Sequence, residues 1–251
     1  MPRLHICVIG IGGVGSWAAE ALARSGVGQI TLIDHDDIAL SNINRQIHTL
    51  DTTLEQSKVL TMQDRIRQIN PHCQCHAIDD LLTENNLSQY ILPAYDYVID
   101  AIDSVKHKSA LIYYCKRNKI PLITMGGAGG LVDPTAIEIT DLSKTYNDPL
   151  AAKVRSQLRY HYNFSRNPKR RFGIECVFST EQPLYPQADG SVGQAKPGVK
   201  GVSLDCNFGY GSSACVTSVF GFAAAARAIE KSLLKKQRTP PLQYKNTEGI
   251  E

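Results

Sequence analysis

LHICVIGIGGVGSWAAEALARSGVGQITLID, residues 4–34, is the stretch on which the fold turns. Its first six residues form a mostly apolar run of the kind that builds a buried strand. The glycine-rich turn GIGGVG at 10–15 follows directly. SWAAEALARS at 16–25 then carries apolar side chains at helical spacing and stops at Gly26, a natural helix end. QITLI at 29–33 reads as a second strand, closed by Asp34. Strand, glycine turn, helix and strand in this order make a βαβ unit.

Outward from this unit the pattern continues. A helix is expected over 51–69, stopped by Asn70 and Pro71, then a strand at 73–78 and a short helix at 84–92. YDYVI at 95–99 reads as a strand, followed by a helix at 105–118 and a strand at 121–125. GGAGG at 126–130 marks a change of texture. Beyond it come an antiparallel strand at 136–140, a helix at 150–158 and a basic stretch at 159–173. A strand at 174–180, a loop at 186–201, an apolar helix at 212–233 and a tail at 237–251 complete the chain. The expected class is α/β: a Rossmann-like, mostly parallel sheet with helices on both faces and an antiparallel extension in the C-terminal half. One domain is expected over 1–251, with halves at 1–130 and 131–235 and a tail at 236–251.

Composition narrows the class. The chain has 251 residues, 43% hydrophobic and 20% charged, enough for one substantial core. A net charge of +3 neither requires nor excludes nucleic acid. Seven cysteines, an odd number with no C-x-x-C pair, speak against a zinc knuckle and fit reduced thiols in a cytoplasmic protein. Met1 is followed within a few residues by a strand-like run, so no secretory leader is expected. ACVTSVFGFAAAA at 214–226 is too short to span a bilayer, is followed by Arg227 and Glu230, and reads as a core helix with no membrane insertion.

Gly10, Gly12 and Gly15, with Gly13 as an extra, satisfy G-x-G-x-x-G, which lets backbone approach a phosphate at a helix N-terminus. Asp34 falls where an acid accepts hydrogen bonds from ribose hydroxyls. The motif alone would predict a nicotinamide or flavin enzyme. The residues after it argue otherwise. Arg45 comes eleven positions after Asp34, and Lys58 sits on the next helix. Two cations suit a triphosphate attacked at its α-phosphorus, although either could be a plain surface cation. Asp103 follows a strand end, where a carboxylate can hold Mg²⁺ or cap the next helix. Asp100 is either a second site acid or structural.

Together GIGGVGSWAAEALARSGVG, Asp34-x-Asp36, Asn42-x-Asn44-Arg45-Gln46, Lys58 and Asp100-Ala-Ile-Asp103 resemble the E1-like superfamily, which adenylates carboxylates with ATP and Mg²⁺. The resemblance implies that Asp34 holds the ribose, that Asp36 belongs to the same ATP site, that Asn42, Arg45 and Lys58 lie at the phosphates, and that Asp103 handles Mg²⁺. Similarity extends over nearly the whole chain to the tRNA threonylcarbamoyladenosine dehydratase family, through RQINP at 67–71, VIDAIDSV at 98–105, TMGGAGG at 124–130, DPLAAK at 148–153 and CVFSTE at 176–181. It implies adenylation of the threonyl carboxylate of threonylcarbamoyladenosine at position 37 of tRNA, then cyclisation with loss of water. It also implies a homodimer, with 131–235 as the substrate-binding and dimerisation half, and a cysteine desulfurase with its sulfur acceptor as a possible partner. Relatives carry a helical segment before the first strand that supplies an arginine to the partner subunit's ATP site; Arg3 would replace it poorly. The alternative is an activator of a ubiquitin-like sulfur carrier, which the missing C-x-x-C pairs weaken.

Cys206, beside Asp205 in a glycine-flanked run, is the thiol that the resemblance favours as a nucleophile, against a packing role. Cyclisation needs no such thiol, because the substrate's own nitrogen can attack the adenylate. No acid occurs between Pro149 and Ile174, and aromatic residues interleave with the cations there. Arg159, Arg166, Lys169, Arg170 and Arg171 are the expected tRNA contacts, with a solvated basic face as the plain alternative.

Overall fold

The computed structural model describes residues 1–187, 190–194 and 211–238. Strands β1 (His5–Ile9), β2 (Gln29–Asp34), β3 (Gln74–Asp79), β4 (Tyr97–Asp100), β5 (Leu122–Met125), β6 (Ile137–Asp141) and β7 (Glu175–Ser179) form one sheet in the order β3-β2-β1-β4-β5-β7-β6. All neighbours are parallel except β6 and β7, which give the antiparallel edge. A small antiparallel pair, β8 (Tyr185–Pro186) and β9 (Val192–Gly193), falls inside the stretch expected to be loop.

Helices α1 (Gly15–Arg24), α2 (Lys58–Ile69) and α6 (Ala214–Arg238) contribute to the core on one face. Helices α3 (Leu87–Tyr90), α4 (Val105–Arg117) and α5 (Pro149–His161) contribute to the core on the other. The strands between, such as Ile6, Val8 and Ile99 toward one face and Cys7, Ile9 and Val98 toward the other, are apolar on both sides, as a doubly covered parallel sheet requires. Because β7 lies between β5 and β6, both halves of the chain share one sheet.

The run at 214–226 lies within α6, where Val216, Phe220, Ala224, Ala225 and Ala228 are buried. A side chain at Gly221 would place its Cβ 2.6 Å from the Val14 carbonyl, so glycine is what lets α6 lie against the start of α1. Among the described residues no helix is long and apolar enough to cross a membrane.

Several boundaries differ from the sequence expectation, among them the helix expected at 150–158, which runs over Pro149–His161. The helix expected from 51 begins only at Lys58, since residues 51–53 form a separate 3-10 turn and Glu55 takes a left-handed φ of 65°. The helix at 84–92 shrinks to Leu87–Tyr90, and α6 runs on to Arg238. Cys7, Cys73, Cys115 and Cys176 are buried free thiols and Cys215 is exposed; Cys206 lies outside the described residues.

Two buried ionisable groups fasten helices to this frame. Glu20 on α1 is 3% exposed and accepts hydrogen bonds from Arg65 Nε at 2.7 Å, Arg65 Nη2 at 3.1 Å and Arg24 Nε at 2.7 Å. Burial pushes its pKa up, but the two guanidinium groups outweigh this and hold it below the ordinary glutamate value. Glu20→Gln is expected to cost about 1–3 kcal/mol in a denaturant titration, since it leaves Arg65 without its carboxylate. His48 is 1% exposed, and its Nε2 lies 2.9 Å from the Ile11 carbonyl. Burial lowers its pKa from 6.5 to about 4. The unfolded chain therefore binds the proton that the folded chain refuses. Stability should fall as pH drops from 6.5 towards 4, by up to about 3 kcal/mol from this group. His48→Gln should flatten that part of the pH-stability curve, measured by urea midpoints.

Candidate functional site

The site forms where the chain turns from building β2 and β3 on one side of β1 to building β4 and β5 on the other, the place where open α/β sheets bind ligands. The Gly10 N–H donates to the Ile33 carbonyl at 2.9 Å, and Gly10 takes φ +84° against the Ala101 carbonyl. At Gly15 a Cβ would sit 1.8 Å from the Gly10 carbonyl, so α1 can start directly over the turn only with glycine there. The N–H groups of Gly12 and Gly13 find no acceptor among the described residues. Free N–H groups at the head of a helix suit an anion.

Around this turn lies a cavity of about 700 Å³. Gly10, Gly12, Gly13, Asp34, Asp36, Asn42, Arg45, Lys58 and Asp103 all line it. Gly15 does not; its contact with Gly10 makes it a packing glycine in this structure.

Each polar group is held by its element. Asp34, at the end of β2, accepts from the Ile11 N–H at 2.5 Å and the Asp36 N–H at 2.9 Å. Lys58 opens α2, is 5% exposed, and donates to Asp36 Oδ2 at 2.6 Å. Asn42 accepts from the Ala39 N–H at 3.1 Å. The Arg45 carbonyl accepts from Trp17 Nε1 at 2.9 Å and Thr217 Oγ1 at 3.3 Å, which pins its backbone to α1 and α6. Its guanidinium donates to the Ser41 carbonyl at 2.6 Å, and its side chain lies over Gly13.

The two aspartates after β4 separate cleanly. Asp100 is fully buried, accepts from Thr124 Oγ1 at 2.6 Å, and pairs with Lys108 Nζ at 3.0 Å. Lys108, also buried, donates to the Asp100 and Ile102 carbonyls as well, so this pair shapes the loop that carries Asp103. Asp103 is exposed and makes no hydrogen bond or ion pair with a described residue. The N-cap of α4 is Ser104, so Asp103 is not the helix cap. Magnesium takes one or two carboxylates beside phosphate oxygens, and an exposed unpaired carboxylate at the cavity fits that demand. Among the described residues the close-set ligand group is Asp34, His35 and Asp36, with Asp36 already engaged by Lys58.

Several lining residues carried no role in the sequence reading. Gln46 is 6% exposed, and its Oε1 has no partner in the structure. It stood in the Asn42-x-Asn44-Arg45-Gln46 motif without a role of its own. Leu81 and Leu82, after β3, add an apolar wall that no motif marks. Gly126 and Gly127 line the cavity from the end of β5. The Asp148 carboxylate, buried so that its pKa rises, accepts from the Gly127 and Ala151 N–H groups and couples this glycine turn to the start of α5.

The expected RNA contacts lie apart from the cavity lining. Arg166, Lys169, Arg170 and Arg171 are exposed on the segment after α5. Arg159 is half-buried, with its guanidinium 5.3 Å from the centre of the Phe172 ring, so part of its role is packing.

The ThiF family model matches residues 1–250. The tRNA threonylcarbamoyladenosine dehydratase of Escherichia coli K12 is 54% identical over 235 residues, covering 93% of this chain and 88% of the relative. Crystal structures of the E. coli tRNA N6-threonylcarbamoyladenosine dehydratase in complex with ATP and with AMP each match with TM-score 0.84. They share 50% and 51% identity, and the matches cover 95% and 94% of this chain and 89% of each of those chains. On the strength of a glycine turn, ribose acid and paired cations set in one E1-like sheet, and of these likenesses, the chain belongs to the ThiF family and, within it, to the tRNA threonylcarbamoyladenosine dehydratases.

Proposed function

We propose that this protein uses ATP to adenylate the threonyl carboxylate of N6-threonylcarbamoyladenosine at position 37 of tRNA and then closes the ring with loss of water. The observation that carries the reading is the convergence of the glycine turn, Asp34, Arg45, Lys58 and Asp103 on one cavity, in a chain 54% identical to a dehydratase of that name. ATP is a substrate here. The free N–H groups of Gly12 and Gly13 receive phosphate oxygens, and Asp34 and Asp36 face the ribose. Lys58 exchanges its contact with Asp36 for phosphate, while Arg45, lying over Gly13, reaches the phosphates from the other side. Asn42 positions the turn between them. Asp103 would hold Mg²⁺, which would add positive charge at the phosphate oxygens.

A threonyl carboxylate oxygen bonds to the α-phosphorus, and pyrophosphate leaves. The substrate's own nitrogen then attacks the activated carbonyl carbon. The carbon–oxygen bond to AMP breaks, the nitrogen proton passes to solvent, and the oxygen lost from the substrate departs on AMP. No enzyme thiol is needed for this ring closure, so Cys206, which lies outside the described residues, carries no step in it. Arg159, Arg166, Lys169, Arg170 and Arg171 contact tRNA phosphates. A homodimer would broaden that surface. A cytoplasmic setting and a cysteine desulfurase with its acceptor complete the reading on resemblance alone. Activation of a ubiquitin-like carrier is the reading that the comparisons do not favour.

Incubation with ATP, Mg²⁺ and threonylcarbamoyl-modified tRNA, then gentle digestion and nucleoside mass analysis, should show an ATP-dependent loss of one water. An unchanged nucleoside would sink the proposal. Lys58→Ala and Asp103→Asn should each lower kcat/KM about a hundredfold or more, read as pyrophosphate release, with unfolding midpoints little changed for Asp103→Asn.

A further inference from the structure

Aromatic residues interleave with cations after residue 159, and the structure divides them into two groups. Tyr162 is taken up by the fold: its ring lies 4.8 Å from that of Tyr113, and its hydroxyl donates to Glu84 at 2.9 Å. Phe164 packs edge-on against Phe172 at 5.0 Å. Tyr160 is different. It is 75% exposed, and its ring contact is with its neighbour His161, also exposed, at 4.9 Å.

Tyr160 and His161 line a second, open groove of about 610 Å³ together with Val105, Lys153, Ser156 and Gln157. This groove adjoins the nucleotide cavity, and Val105 and Lys153 line both. Along α5, Leu150 and Lys153 face the cavity, Lys153, Ser156 and Gln157 face the groove, and Tyr160 ends the row. The spacings of three and four residues put them on one helix face. Seven residues of helix set Tyr160 about 10 Å beyond Lys153.

The chemistry of that row is specific in kind. Lys153 supplies a cation for a phosphate, Gln157 offers hydrogen bonds to base edges, Ser156 Oγ, which donates to the Ala152 carbonyl at 3.0 Å, can still accept one, and Tyr160 with His161 offers a face for stacking. No acid occurs from Pro149 to Ile174, so nothing on this helix opposes a polyanion. Building on the proposed function, we infer that this groove is a subsite for the unpaired tRNA nucleotide adjoining the modified adenosine, with its base stacked on Tyr160. The modified adenosine enters the cavity past Lys153, and the neighbouring base rests on the aromatic end of α5. The subsite holds the anticodon loop in a splayed form and contributes to the binding of tRNA rather than to the chemical step.

The test is steady-state dehydration of modified tRNA by Tyr160→Ala and Tyr160→Phe. Tyr160→Ala should raise KM for tRNA about tenfold or more, with kcat and the KM for ATP near the wild-type values, and Tyr160→Phe should restore tRNA KM. A modified tRNA made abasic on the side that stacks should show the same loss with the wild-type protein, and no further loss with Tyr160→Ala. An unchanged tRNA KM in Tyr160→Ala overturns the inference. So do additive losses for both flanking abasic sites, or a changed oligomeric state in Tyr160→Ala, which would make the groove a contact between copies of this chain. Failure of the wild-type protein to dehydrate the unaltered modified tRNA would strike the proposed function instead.

Discussion

The carboxylate of Asp34 reaches back across 23 residues to the Ile11 N–H, and the glycine turn takes its shape from that bond. Without it the turn would be a loop between a strand and a helix, free to sample the many conformations that glycine permits. With it, and with Gly10 pressed against the Ala101 backbone, the ends of β1, β2 and β4 are drawn to one point. His48 adds a third tether by bonding the same Ile11 residue through its carbonyl. Phosphate-binding N–H groups are useful only when they already point at the ligand, because ordering them on binding would cost roughly 1–2 kcal/mol per residue.

Charge placement follows from the same economy of motion. Lys58 is nearly buried, and a buried ammonium without a partner is costly. Asp36 supplies that partner from a half-exposed position and holds the lysine at the cavity wall. The proposed exchange of Asp36 for phosphate draws on charge, since a triphosphate carries more negative charge than one carboxylate. At the end of β4, two strands from β2 in the sheet, the Asp100–Lys108 pair is sealed from solvent: Lys108 donates to the Asp100 and Ile102 carbonyls, and Asp100 accepts from Thr124 Oγ1 and the Ile102 N–H. That pair fixes the backbone that presents Asp103, and the division of labour between the two aspartates comes from burial alone.

How far this was readable in the sequence depends on whether the signal was local. The βαβ unit, its turn and Asp34 were legible because glycine spacing and apolar periodicity are properties of adjacent residues. The start of α2 was not, since Glu55 adopts a left-handed φ that few non-glycine residues take, held by the Glu55 N–H bond to the Ile38 carbonyl. The insertion of β7 between β5 and β6 was likewise hidden, because sheet order is decided by contacts between distant segments. At the site, Arg45 and Lys58 could be picked out by charge and position, whereas Leu81 and Leu82 carry no motif and join the cavity only through tertiary packing; Asp148 stood in DPLAAK without a role, and its bond to the Gly127 N–H appears only in the fold. In the basic segment the sequence ranked Tyr160, Tyr162 and Phe164 together, and burial is what sets Tyr160 apart.

Helix α5 ties these levels together. Its N-cap, Asp148, grips the Gly127 N–H at the cavity wall, and its other end delivers Tyr160 and the basic segment to the surface. A helix of this length keeps a fixed rise per residue, so Tyr160 stands at a set distance from Lys153 at the cavity wall. A substrate as large as tRNA can then be held far from the reacting carboxylate without losing registration at the α-phosphorus, where a displacement of about 1 Å costs on the order of a hundredfold in rate. The buried, rising pKa of Asp148 is the cost of placing a carboxylate at that junction, and its two backbone hydrogen bonds are what make the junction rigid.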